Sequence, residues 1–301
     1  MTALPYLTDL LAHQKDLRGS RKGAHIDTHR VRYALGASCQ ATAAETLKKR
    51  LFLLSELIRR DLTARFAGSV GGPVWALLNP LILGLIYGFV FSVILKTTPP
   101  VGFPGGYPEF LLAGLLPWIG FQEALMRGTG SIIEHAHLVK KLSFPPILLV
   151  FSSLGSALLL QAAGLALLGG YALVRGIGVP RPGILLLAFG LEGILLLGPV
   201  LCLAAFNVYL RDLPQLLGPV MMVLFYLTPI LYPEALVPGS YGWILDLNPV
   251  RDMIALFRTG LFGTAPPPAS RLAVSALASF VLAFVGSRIF RHCQQSFSDL
   301  L

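Results

Sequence analysis

Between Arg59 and Pro80 the chain reads RRDLTARFAGSVGGPVWALLNP, and this order of residues leaves few folds open. A basic, helix-patterned stretch runs into Gly71-Gly72-Pro73, a sequence that breaks a helix. A charge-free apolar run follows at once, from Val74 to Leu95, long enough to cross a bilayer. The pattern predicts a helix lying on a membrane surface, a hinge, and a helix entering the membrane. Upstream, Leu47, Leu51, Leu54, Ile58, Leu62 and Phe66 recur at helical spacing. Lys48, Lys49, Arg59, Arg60 and Thr63 lie largely elsewhere around the wheel, so an amphipathic interfacial helix is expected over 47–70. Residues 1–46 are expected to form a flexible cytosolic tail, and they contain no apolar stretch long enough for a signal peptide.

Composition supports a membrane protein. Charged residues make up 13% of the 301 and hydrophobic residues 54%, whereas about 25% charged is usual for a soluble domain. The net charge is +9, and residues 1–73 hold 12 of the 24 Lys and Arg. Because the basic residues flank apolar spans, they point to anionic lipid and not to nucleic acid. Cys39, Cys202 and Cys293 are scattered, without a CxxC, so neither a disulfide framework nor a zinc site is indicated. His25 and His29 offer only two ligands, too few for a metal site.

The expected fold is an all-α polytopic membrane protein with six transmembrane helices over residues 71–290. The spans are expected at 74–95, 109–130, from near Pro145 to Val174, 183–206, 213–232 and 271–288. The second is interrupted by Pro117. The third lies in a charge-free run of 33 residues, Leu142 to Val174, and is expected to tilt or kink. Residues 131–144 form a short polar helix, and 233–270 form short helices half-inserted between spans five and six. A short cytosolic tail covers 291–301. Six spans put both termini on one side. The excess of Lys and Arg on that side, against Lys96, Arg175, Arg181, Arg251, Arg258 and Arg271 on the other, places both termini in the cytoplasm.

Glu123 and Arg127 are spaced i, i+4 in the second span, and self-pairing is the expected reading. Glu192 lies mid-span without a local partner. A structural hydrogen bond to a neighbouring helix is favoured over a place in a pathway or a protonated carboxyl. Gly84 and Gly88 form a GxxxG that lets helices approach. Tyr87 and Phe91 share a helix face. With Trp75, Trp118, Phe225 and Tyr226 they suit either a conduit on which sugar rings stack or a lipid-facing belt. There is no GxxxxGK[ST] and no Gly-Lys dipeptide, so this chain has no P-loop and nucleotide chemistry is expected in another chain.

RRDLTARFAGSVGGPVWALLNP, GSIIEHAHLVKKLSFP, NVYLRD, FYLTPILYP and LNPVRDMIALFR occur in this order over about residues 50–290. In this the chain resembles the permease subunits of bacterial polysaccharide ABC exporters of the O-antigen and teichoic-acid export type. The resemblance implies a transmembrane subunit in the bacterial inner membrane that exports a lipid-linked polysaccharide. It implies pairing with a second copy and with two ATP-binding subunits that bind ATP and Mg. The cargo would be a polyprenyl-pyrophosphate-linked polysaccharide, with membrane lipid around the subunit. The chain itself would hold no cofactor or metal and do no covalent chemistry.

The resemblance makes SIIEHAHLVKKL the coupling helix, through Glu134, His137, Lys140 and Lys141. The plain alternative is a basic loop held inside by its charges. It suggests a second ATPase contact at Arg211 and Asp212, where the alternative is a helix stop with a local ion pair. Arg59, Arg60 and Arg65 would meet the lipid head group at the entrance, since guanidinium binds phosphate through charge-assisted hydrogen bonds. The first and fifth spans would line the pathway, with Tyr87, Phe91 and Tyr226 facing the polymer. A permease for a drug or small lipid is the competing reading. A membrane-embedded transferase is a further one, weakened because His135 and His137 at i, i+2 fall on different helix faces.

Overall fold

The computed structural model describes residues 28–66, 71–72, 74–141 and 145–301. The chain divides into two compact units, residues 1–52 and 53–301. The first contributes the opening part of helix α1 (Thr28–Phe66). This helix begins inside the stretch expected to be a flexible tail, while His25 and the rest of residues 1–27 lie outside the described residues. Everything below concerns the second unit.

Helix α2 (Val74–Gly88) starts directly after the Gly-Gly-Pro break and runs on as a π-helical turn, Phe89–Ile94. Then come α3 (Tyr107–Glu134), the six-residue α4 (Ala136–Lys141), α5 (Ile147–Val174), α6 (Pro182–Tyr209) and α7 (Leu213–Leu227). Two single 3-10 turns, Glu234–Leu236 and Gly239–Tyr241, lead into α8 (Gly242–Asp246) and α9 (Pro249–Phe262). Helix α10 (Ala269–Cys293) continues through a 3-10 turn, Gln294–Ser296, into α11 (Phe297–Leu300). Every regular element among the described residues is helical.

Three of these helices are long and apolar enough to cross a membrane: α5, α6, and α10 with its extension, Ala269–Ser296. Two shorter apolar segments, Leu78–Ile94 and Leu213–Leu227, accompany them. Helix α3 has the length but carries Glu109, Glu123, Arg127 and Glu134. Its charges are tolerated because neighbours cover it: α2, α5, α6, α7 and α9 all pack on it. Pro117 does not interrupt α3, contrary to the sequence expectation. The helix also runs further along the chain than expected, to Glu134, so the polar helix that follows starts at Ala136 and not at residue 131, while residues 142–144 lie outside the described residues.

Helix α6 is the second organiser, packed on α3, α5, α9 and α10. Its closest neighbour is α10, where Gly198 faces the backbone of Leu282 and Gly286 faces the backbone of Gly198. A Cβ at either glycine would collide with main chain, so this contact depends on small residues. The GxxxG on α2 does less than its pattern promised. Gly84 meets Leu112 of α3, but nothing packs against Gly88.

Helix α9 falls in the stretch expected to be half-inserted, and twelve of its fourteen residues are buried, from Val250 to Phe262. It is wedged against α3, α5, α6 and α10. Asn248 caps it, its Oδ1 accepting from the Val250 N–H at 3.1 Å, and Gly263 in the left-handed region (φ 70°) ends it.

Candidate functional site

Helix α3 spans about 40 Å at 1.5 Å per residue, and polar groups gather at both of its ends. At the α4 end, the last turns of α1 dock on α3 and α5. Arg65 pairs with Glu123, and Arg127 pairs with Asp61, which also accepts a hydrogen bond from Ser156 of α5. The self-pairing expected for Glu123 and Arg127 is therefore replaced by two bridges to α1. Both side chains project toward α1, and each bridge joins helices instead of stapling one turn. Leu57, Arg60, Asp61, Ala64, Arg65, Arg127, Glu134, His135 and Ser152 line a cavity of about 310 Å³ here. Three guanidiniums thus face one space.

Of the three arginines assigned to the lipid head group, Arg60 and Arg65 line this cavity, while Arg59 lies exposed with Glu56 4.0 Å away. Arg127, counted in the sequence only as a paired span residue, joins them. Its neighbours come from α1 and α5, so no local spacing could have found it.

Below this cavity the chain turns at His135, whose Nδ1 lies 3.0 Å from the Ser131 carbonyl oxygen, and enters α4. Glu134, His137 and Lys140 are exposed, and Val139 packs against the buried core. Arg211 and Asp212 are also exposed, in the turn between α6 and α7. Among the described residues neither forms an ion pair, so the local bridge held open for them is absent. In the same motif Asn207 is buried, and its amide donates to the Thr129 carbonyl of α3 at 2.9 Å.

Midway along, α2 and α7 bring aromatic rings together over α3. Tyr87 and Phe225 have centroids 6.0 Å apart, Trp118 and Phe225 5.5 Å, and Phe225 and Tyr226 5.4 Å. Phe91 stacks on Tyr107 at 6.0 Å. Tyr226 is 50% exposed; Tyr87 and Phe91 are half-buried and Phe225 is buried. A cavity of about 190 Å³ lies among Tyr87, Trp118, Gln122, Met221 and Phe225. On the other side of α3, Gln161 of α5 donates to Glu192 of α6 at 2.7 Å. Glu192 is wholly buried, so the favoured structural hydrogen bond to a neighbouring helix is formed.

At the opposite end, two of the sequence motifs interlock. Arg258 of LNPVRDMIALFR is buried and donates to the carbonyls of Pro229 at 2.9 Å and Ile230 at 3.0 Å, both in FYLTPILYP. Its guanidinium lies 3.7 Å from the Phe110 ring centroid, and Gly114 leaves the space it occupies. Asn248 donates to Thr228 at 2.8 Å, and the Tyr107 hydroxyl donates to the Leu231 carbonyl at 2.6 Å. Arg251 bridges Glu234 and Asp246; Arg271 of α10 bridges Asp252 and reaches Glu234 at 3.6 Å. In sequence these arginines counted only as loop charges. Arg251 and Arg258 share the amphipathic helix α9 and Arg271 opens α10, but their partners were not visible.

Burial alone would raise the Glu234 carboxyl, but its hydrogen bond to Arg251 and the charges of Arg251, Arg271 and Arg258 outweigh that and hold it below its ordinary value. A depressed folded pKa adds stability that is present above the unfolded value and disappears as pH falls through the folded one. The thermal melting temperature in detergent should therefore fall as pH drops below the ordinary carboxyl value of 4.5. Glu234→Gln should lose that part of the pH dependence; an unchanged profile would show that Arg251 and Arg271 do not hold the carboxylate.

The helices and their ion-paired ends define an all-helical protein with three helices long and apolar enough to cross a membrane, whose described residues include no cluster of metal-binding side chains. Residues 53–262 match the ABC-2 type transporter family, and the chain belongs to it. The chain is 29% identical to the O-antigen export system permease protein RfbA of Klebsiella pneumoniae over 255 residues, 83% of this chain and 95% of that one. It is 30% identical to the protein of the same name from Myxococcus xanthus over 254 residues, 82% and 94% of the two chains. A polysialic acid transport protein of Escherichia coli, KpsM, is 25% identical over 241 residues, 78% and 91% of the chains.

Proposed function

We propose that this chain is the transmembrane subunit of an ABC exporter that carries a lipid-linked, O-antigen-like polysaccharide out of the cytoplasm. The observation that carries the proposal is the alignment with two O-antigen export permeases along more than four-fifths of the chain. A separate ATPase, binding ATP and Mg, supplies the energy. The subunit sits in the bacterial inner membrane with six spans, α2, α3, α5, α6, α7 and α10, the end of α1 on the cytosolic surface, and both termini inside.

In this reading the arginine-lined cavity receives the pyrophosphate head group. Among the described residues Arg60 forms no ion pair, so its charge is available to the cavity, while Arg65 and Arg127 also hold α1 to α3. The exposed residues of α4, with Lys141 at its end, meet the ATPase together with Arg211 and Asp212 of the α6–α7 turn. Two copies pair across α2 and α7. Those helices leave a large apolar surface uncovered, including Leu85, Phe89, Val220, Met222 and Val223. Pairing there supports a conduit lined by Tyr87, Phe91 and Tyr226, where weak, repeated ring contacts let sugars slide without stalling.

The test is reconstitution of the chain with its co-purified ATPase in vesicles. ATP-dependent movement of a polyprenyl-linked glycan is expected, lost without either chain, and the isolated chain should not bind ATP. Specific ATP binding by the isolated chain, or glycan transfer without the ATPase, would overturn the proposal.

A further inference from the structure

Helix α4 is six residues long, too short to hold its shape without tertiary support. It joins α3 at the His135 turn, and the helices it touches besides α3 include α11. Helix α11 also lies against α6, continuous through the 3-10 turn with α10. Phe297 opens α11 and is 0% exposed, which is unusual beside the exposed residues 294–296. Its ring meets that of Phe290, also fully buried, edge to face with centroids 5.6 Å apart. The Leu301 N–H donates to the Phe297 carbonyl at 3.1 Å, and the Leu301 side chain packs against the same core as Val139 of α4. A segment that sequence alone reads as a short tail is packed against α4, whose His137 and Lys140 are exposed.

We propose that residues 294–301 form a brace in which Phe297 fixes the position of α4, so that force applied to α4 reaches α6 and α10 as well as α3. The brace rests on the reading that α4 is where the ATPase acts. A direct connection through α3 alone would move one helix. The brace ties the same displacement to the α6–α10 pair, which the glycines Gly198 and Gly286 lock together. Phe297 is a positioning residue: it touches no cargo.

The experiment uses the full chain in complex with its ATPase and compares Phe297→Ala with Phe297→Leu. Amide hydrogen exchange over 136–141 should rise roughly five-fold in the Ala variant, with 107–134 unchanged. ATP consumed per glycan exported should rise by a similar factor while ATP hydrolysis itself persists, and Phe297→Leu should restore both. Unchanged exchange over 136–141 in a folded Ala variant would overturn the brace. If the Ala variant does not fold, Phe297→Val replaces it, and α4 exchange equal to the unmodified complex has the same meaning. Cross-linking of His137→Cys to the ATPase in the otherwise unchanged chain tests the coupling reading separately. Its failure removes that reading and leaves the exchange result to judge the brace.

Discussion

Arg258→Met should abolish most of the folded protein. The Pro229 and Ile230 carbonyls lie outside any helix, so the fork of Arg258 is their partner, and removing it leaves both unpaired in the buried interior. The Phe110 ring loses its cation at the same time. Replacing a buried charge with a hydrophobe of similar size is often neutral when the surroundings are apolar. Here they are carbonyl oxygens, and leaving them without donors costs about 3–5 kcal/mol in total, a large share of the stability of most folds. Arg258→Lys should recover only part, because an ammonium does not form a planar fork or lie flat on a ring. Size-exclusion of a fluorescent fusion with a thermal melt reads the effect. A Met variant that melts with the unmodified protein would show that the two motifs do not depend on this clamp.

The second large effect is expected at the α1–α3 contact. Arg127→Glu places a carboxylate against Asp61 in a partly buried site. The loss of the bridge and the new repulsion together cost about 2–5 kcal/mol. The end of α1 should detach from α3 and export should fall at least tenfold, while α5, α6 and α10 keep their packing. Asp61→Arg combined with Arg127→Glu rebuilds the bridge with its polarity reversed and should recover most of the export. Proteolysis near residue 66 together with an export assay separates detachment from a change in the cavity. A double reversal no better than the single one would mean that Arg127 acts through its charge toward cargo and not through Asp61.

Much of the architecture was legible because local pattern carries it. The Gly-Gly-Pro break, the charge-free run after it and the long apolar segments that became α5, α6 and α10 follow from helix periodicity and from the length a bilayer demands. The i, i+4 spacing of Glu123 and Arg127 misled for the same reason: a local rule describes an isolated helix, and α1 supplied better-placed partners from some sixty residues away.

What the sequence determined by itself, then, is a polytopic helical chain without a P-loop, with basic residues massed before its first apolar run, and with five ordered motifs that point to polysaccharide export. Tertiary structure alone decided which charges meet. It gathered Arg60, Arg65 and Arg127 around one cavity, buried Arg258 beneath carbonyls of a different motif, joined Gln161 to Glu192, and buried Phe297 against Phe290. The physical reason is range. Helix period, breaks and caps are set by residues within a few positions of one another, whereas a buried ion or ring is placed by whatever distant helix covers it.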